Sequence, residues 1–218
     1  LGDVYKRQEC RTLTNITLPK SVMKIGLGAF SSCGNLESIK VDENNKVYDS
    51  RDNCNAIIEK SSSALIVGCK NTEVPSGVTQ IGERAFDGCS GLTSITLPES
   101  VTEIGEFAFT ECSNLESIKV NENNKVYDSR ENCNAIIEKS SNTLIVGCKN
   151  TKVPSGVTKI GDGAFEGCSG LTSITLPESM MVIGSGAFYG CRGLTSITLP
   201  ESVTEIGGNT FRCCSGLT

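Results

Sequence analysis

Twelve cysteines and no histidine in 218 residues pose the chemical question of this chain. Seven of them, Cys10, Cys33, Cys89, Cys112, Cys168, Cys191 and Cys214, each stand three residues ahead of a leucine, in stretches such as "GCSGLTSITLPES" at 88–100 and 167–179. A thiol that returns in one slot could ligate a metal, form a disulfide, attack an electrophile or fill space. Zinc needs four ligands around a point, yet no C-x2-C pair occurs and four thiolates drawn from one column cannot surround a tetrahedral ion. A nucleophilic cysteine needs a base beside it, and a side chain repeated seven times is not a unique site. Packing is what remains: a small side chain filling an inward turn. Successive thiols would then lie about 5 Å apart and point the same way, a poor geometry for bridging. Neither a metal, a cofactor nor a catalytic residue is expected.

The slot belongs to a repeat. Aligning V-T-x-I-G puts unit starts at Val22, Val78, Val101, Val157, Met180 and Val203, and adjacent units are 23 residues apart. The unit reads V-x-x-I-G-x-x-A-F-x-x-C-x-x-L-x-x-I-x-L-P-x-S. In residues 78–100 its apolar members are Val78, Ile81, Ala85, Phe86, Cys89, Leu92, Ile95 and Leu97. That spacing sustains neither a 3.6 nor a 2 period, so one helix or one long strand cannot bury it. A coil that turns back on itself can. L-x-x-I-x-L alternates as a short strand with Ile95 and Leu97 inward, and Pro98 ends it for want of an N–H. Ile-Gly turns the chain, and "AF" suits one tight helical turn. Each coil leaves an edge unburied, so only stacking makes a core.

Two 33-residue inserts interrupt the period, at 45–77 and 124–156, differing only at 52/131, 63/142, 64/143 and 73/152. They mark a duplication of a 79-residue unit. "AIIEK" and "LIVGC", separated by a Ser/Asn turn, predict a β-hairpin that replaces or enlarges a coil. With the turn at Ser61–Ser62, Cys54 faces Cys69 and Cys133 faces Cys148. That register allows cross-strand disulfides Cys54–Cys69 and Cys133–Cys148, against buried free thiols as the other reading. Cys213 has no counterpart in the other units and reads as an exposed or edge thiol.

The net charge of −5 comes from interspersed Lys, Arg, Asp and Glu, so no footprint for nucleic acid or anionic lipid is present. No apolar run reaches the roughly 18 residues of a membrane span. The outward strand positions are Asn15/Thr17, Ser38/Lys40, Ser94/Thr96, Ser117/Lys119, Ser173/Thr175 and Ser196/Thr198. This face is small and polar and lacks the Trp, Tyr and Arg anchors of tight interfaces. Its Ser-x-Thr column also fits, locally, the hydroxyl arrays that bind ice or crystalline polysaccharide, though Lys40, Lys119 and the inserts break it. Tyr48 and Tyr127 in "KVYDSR", with Arg51 and Arg130, form a second candidate contact surface. The competing reading is that the tyrosines cap the hairpin core. "VDENN" and "VNENN" lack the spaced ligands of a calcium loop and read as turns. Asn15-Ile16-Thr17 is a formal glycosylation sequon on a strand.

The unit I-G-x-x-A-F-x-x-C-x-x-L-x-x-I-x-L-P, over residues 10–218 and together with "YDSRxNCNAII" and "LIVGCKNT", resembles the BspA-like leucine-rich repeat family of bacterial surface proteins. The resemblance implies a repeat solenoid over 9–218: a right-handed superhelix of short parallel β-strands, turns and short 3-10 or helical turns, with two β-hairpin inserts. It implies a non-enzymatic adhesion module at the cell surface or secreted, binding protein or glycan ligands such as host extracellular matrix. A passive spacer for another domain, or an intracellular interaction scaffold, is the alternative. Residues 1–8, "LGDVYKRQ", break the repeat and look like an adaptor-derived artefact. The chain stops at "CSGLT", where earlier full units run on into "SITLP", so a fragment lacking both caps is expected.

Overall fold

The computed structural model describes residues 12–218; residues 1–8 and Cys10 lie outside that range. The chain winds into a β-solenoid of about eight turns. An ordinary coil contributes two short strands. In the first column Asn15–Leu18 pairs in parallel with Ser38–Val41, Ser94–Leu97 with Ser117–Val120, and Ser173–Thr175 with Ser196–Thr198. The second column is the I-G corner: Gln80–Ile81 pairs with Glu103–Ile104, and Lys159–Ile160 with Val182–Ile183, which pairs in turn with Glu205–Ile206. Every one of these registers joins residues one repeat apart, which sets equivalent positions side by side, Ile39 on Ile16 and Ile118 on Ile95, and makes the core a set of columns.

The "AF" segment is not helical, which corrects one expectation. Its amides alternate between two kinds of partner. Ala85, Asp87 and Cys89 close turns within their own coil on Gly82, Arg84 and Phe86, whereas Arg84, Phe86 and Gly88 donate to Glu106, Ala108 and Thr110 of the next coil. A helix needs all its amides turned inward along its own axis. Here every second one is spent on stacking, and left-handed residues, Arg84 (φ 56°) and Gly88 (φ 70°), make the alternation possible.

The inserts form the expected hairpins, with one strand more. Tyr48–Asp49, Ile57–Glu59 and Ala64–Val67 pair antiparallel in that order, and Ala64–Val67 then pairs in parallel with Gln80–Ile81. Tyr127–Asp128, Ile136–Glu138 and Thr143–Val146 repeat this against Lys159–Ile160. The last hairpin strand thus takes the second-column place of a coil. The 3-10 turns lie in the inserts, at Arg51–Asn53 and Arg130–Asn132.

Each hairpin is buried on both faces. Ile57, Val67 and Cys69 pack with Leu36 and Ile39 of the preceding coils, while Ala56, Ile58 and Leu65 pack with Ile81, Phe86 and Leu92 of the following ones. This is why "AII" and "LIV" are unbroken apolar runs instead of alternating ones. In the ordinary coils that follow each insert the core phenylalanines stack ring on ring, Phe86 on Phe109 at 5.0 Å and Phe165 on Phe188 at 5.1 Å. At the insert itself the Phe86 ring lies on Gly68, where an added Cβ would come within 2.1 Å of it; Phe165 lies likewise on Gly147.

Candidate functional site

Cys33, Cys89, Cys112, Cys168, Cys191 and Cys214 are all buried in one slot. The thiols of Cys112, Cys191 and Cys214 donate to the carbonyls of Phe86, Phe165 and Phe188 in the preceding coil, at 3.2, 3.1 and 2.9 Å. Burial pushes Cys89 and Cys168 up to about 12 and holds Cys112 and Cys191 well above the usual thiol range too. A thiol held in the protonated form is a weak nucleophile and a weak ligand. Among the described residues no three Cys, Asp or Glu side chains gather where they could hold a metal ion.

The insert thiols are separate. The expected register holds at Glu59/Ala64 and Ile58/Leu65, then slips by one at a bulge between Ile57 and Ile58, before it reaches the cysteines. Cys54 and Cys69 are free, as are Cys133 and Cys148, and the disulfide pairings Cys54–Cys69 and Cys133–Cys148 are absent. Cys69 donates to the Asn55 carbonyl at 3.2 Å and Cys148 to that of Asn134 at 3.3 Å. Cys213 is exposed, as expected of a thiol with no cysteine counterpart in the other units. It takes the left-handed position (φ 63°) that Gly88, Gly167 and Gly190 take in other coils.

The tyrosine cluster divides. Tyr48 and Tyr127 are only 4% and 5% exposed, which removes both from the surface and corrects their assignment to a contact face. The Tyr48 hydroxyl accepts from Ile25 N–H at 3.1 Å, and that of Tyr127 donates to the Thr102 carbonyl at 3.5 Å. Arg51 and Arg130 remain partly exposed but are engaged. Arg51 grips Asp49 through Nε and Nη2 at 2.9 and 2.8 Å; Arg130 holds Asp128 at 2.9 Å and Asn142 at 3.1 Å. Those carboxylates raise both guanidinium pKa values. Sequence reasoning missed Asn45 and Asn124, each fully buried. The Asn124 amide donates to the carbonyls of Pro98 (2.9 Å) and Val101 (2.8 Å), and its oxygen accepts from Val126 and Tyr127 N–H (2.9 and 2.8 Å). Asn45 makes the same four bonds. Their signal was the second Asn of "ENN", in the segment read only as a turn.

The strand face is where the residue pattern puts it. Thr17, Lys40, Ser94, Thr96, Lys119, Ser173, Thr175, Ser196 and Thr198 are exposed, and Ser38 and Ser117 half-buried. Rows run across the coils: Thr17 beside Lys40, Thr96 beside Lys119, Ser173 beside Ser196, Thr175 beside Thr198. The column comes in three two-strand patches separated by the inserts, so the hydroxyls do not form one continuous array.

The model of the BspA type leucine rich repeat region matches residues 5–57, 56–143 and 135–218, in six copies. The chain belongs to this family. No curated protein matches it. Among solved structures this BspA-type chain is similar to a leucine rich cell surface protein from Faecalibacterium prausnitzii, with 27% identity over 94% of the chain and TM-score 0.62. A leucine-rich repeat protein from Eubacterium ventriosum (24% identity over 93% of the chain, TM-score 0.51) and the pneumococcal vaccine antigen PcpA (23% over 89%, TM-score 0.55) share the fold. The chain spans 66%, 59% and 47% of these three proteins.

Proposed function

We propose that this chain is a non-enzymatic binding module of a bacterial surface protein, presenting its exposed strand column to protein or glycan ligands. The observation that carries the reading is the register of the outward rows. Small polar groups stand side by side on neighbouring coils, with Lys40 and Lys119 among them, so a ligand lying along the solenoid meets three two-strand patches of hydroxyl and lysine side chains. Weak contacts repeated this way add through effective concentration. Family membership and the likeness to a leucine rich cell surface protein support a surface location. Buried, protonated thiols and carboxylates that recur with the repeat support binding over catalysis. A spacer role is the second reading, favoured by a strand face without aromatic anchors. The 218-residue chain, tested for retention on immobilised extracellular-matrix glycoproteins and on a glycan array, should bind at least one. Lys40→Glu with Lys119→Glu should then cut retention at least tenfold with the melting temperature unchanged. Retention on none of them would overturn the binding reading in favour of the spacer.

A further inference from the structure

The inserts leave two matching gaps in the wall of the solenoid. An ordinary unit carries the whole I-G-x-x-A-F loop between Ile81 and Cys89, whereas the insert passes from Leu65, the partner of Ile81, to Cys69 with no loop. The loops on either side reach across the missing one. Ser32 N–H donates to the Asp87 carbonyl at 3.0 Å at the first insert, and Glu111 N–H to the Glu166 carbonyl at 3.0 Å at the second. Beside each bridge lies a cleft, of about 220 Å³ at the first and about 230 Å³ at the second. Both are lined by apolar side chains: Ile25, Ile66, Val67 and Phe86 in one, Ile104, Phe109, Ile145 and Val146 in the other. Both are also acidic. Glu59 and Glu83 line the first, where Arg84 is already held by Asp87 at 3.3 Å. Glu106, Glu138 and Asp162 line the second, and among the described residues no lysine or arginine does.

The geometry points to two equivalent sockets for the basic side chains of a partner protein, each taking one lysine or arginine. An apolar wall with carboxylates complements an aliphatic stem that ends in a cation. Cavities of this size fall below the roughly 300 Å³ at which sites for whole small molecules begin, and suit a single side chain. Duplication supplies the second socket 79 residues on, Glu59 to Glu138, so a partner with two basic residues at the right separation would gain by avidity. The sockets are built from the insert and the I-G loops, not from the exposed strand rows, so this inference stands or falls apart from the strand-face reading.

The test is amide chemical-shift mapping of the 15N-labelled 218-residue chain. The probes are acetyl-Gly-Ser-Arg-Ser-Gly-amide, two such peptides joined by a Gly-Ser linker, and versions with norleucine or glutamate in place of arginine. The single arginine peptide should perturb residues 26–28, 82–84, 104–108 and 162–164 with affinity on the order of 1 mM, and the linked form should bind at least tenfold tighter. Glu106→Gln with Glu138→Gln should abolish the second set of shifts, leave the first, and return the linked peptide to single-peptide affinity. The proposal is overturned if the clefts show no perturbation, if norleucine or glutamate peptides bind as well, or if the double variant binds the linked peptide like the parent. Perturbation confined to the strand rows would also overturn it while supporting the strand-face reading.

Discussion

A buried thiol is indifferent to pH until conditions ask it for its proton. Cys133 is pushed up to about 11 and Cys89 and Cys168 to about 12, from an ordinary value of 9.0, with burial the main cause. Below pH 9 folded and unfolded chains both keep these protons, and the full stability is present. Above it the unfolded chain releases protons that the folded chain retains, so stability falls until the native thiols themselves ionise near 11–12. At pH 10 these three groups together remove on the order of 4 kcal/mol. Urea midpoints between pH 7 and 10.5 should show the decline, and Cys89→Ala with Cys168→Ala should flatten its slope. That these cysteines face inward was legible from their fixed distance to the strand leucine. The role of Asn124 was not, since an Asn in a polar run looks like any turn until its four partners arrive from two coils.

Among the elements, the inserts are where local pattern and tertiary context meet. Two apolar β-forming runs around a Ser/Asn turn are enough to predict a hairpin. They do not say that it will be sandwiched, nor that its turn will slip register at Ile57/Ile58 and part Cys54 from Cys69. The "AF" segment failed as a helix for a related reason. Its alternate amides are claimed by the next coil, a competition that exists only once coils are stacked. Gly68 shows how tightly the insert is fitted. Gly68→Ala would put a methyl 2.1 Å from Phe86 Cε1, and the expected cost is about 3 kcal/mol. Thermal unfolding of the variant checks this, and Phe86→Leu in the same chain should recover part of the loss by opening the space.

At the scale of the molecule, stability is a sum over neighbouring coils, and the inserts are the seams. The buried apolar side chains fall into three clusters that divide within the inserts: insert strands give one face to each side. Asn45 and Asn124 fasten these seams to the preceding coil. Asn124→Ala would take the side-chain partner from the Val126 and Tyr127 amides and from the Val101 carbonyl, and leave the Pro98 carbonyl with the Val101 amide alone, at a cost of about 3 kcal/mol. Urea unfolding followed by circular dichroism should then resolve two transitions where the parent chain shows one, as coils before and after the second insert uncouple. A single transition at the parent midpoint would remove Asn124 from this role.

The residue pattern by itself determined the coil, the inward columns of Cys, Leu, Ile and Phe, and the outward Ser, Thr and Lys rows. All of these follow from which side chains avoid water, a property each repeat carries locally. Only the tertiary structure decided that the tyrosines go inside, that the thiols of each insert part, that the inserts are two-faced seams, and that missing loops leave acidic clefts beside them. Those outcomes depend on what the neighbouring coil presents, on its carbonyls, its rings and its gaps, and a repeat unit does not record its neighbour.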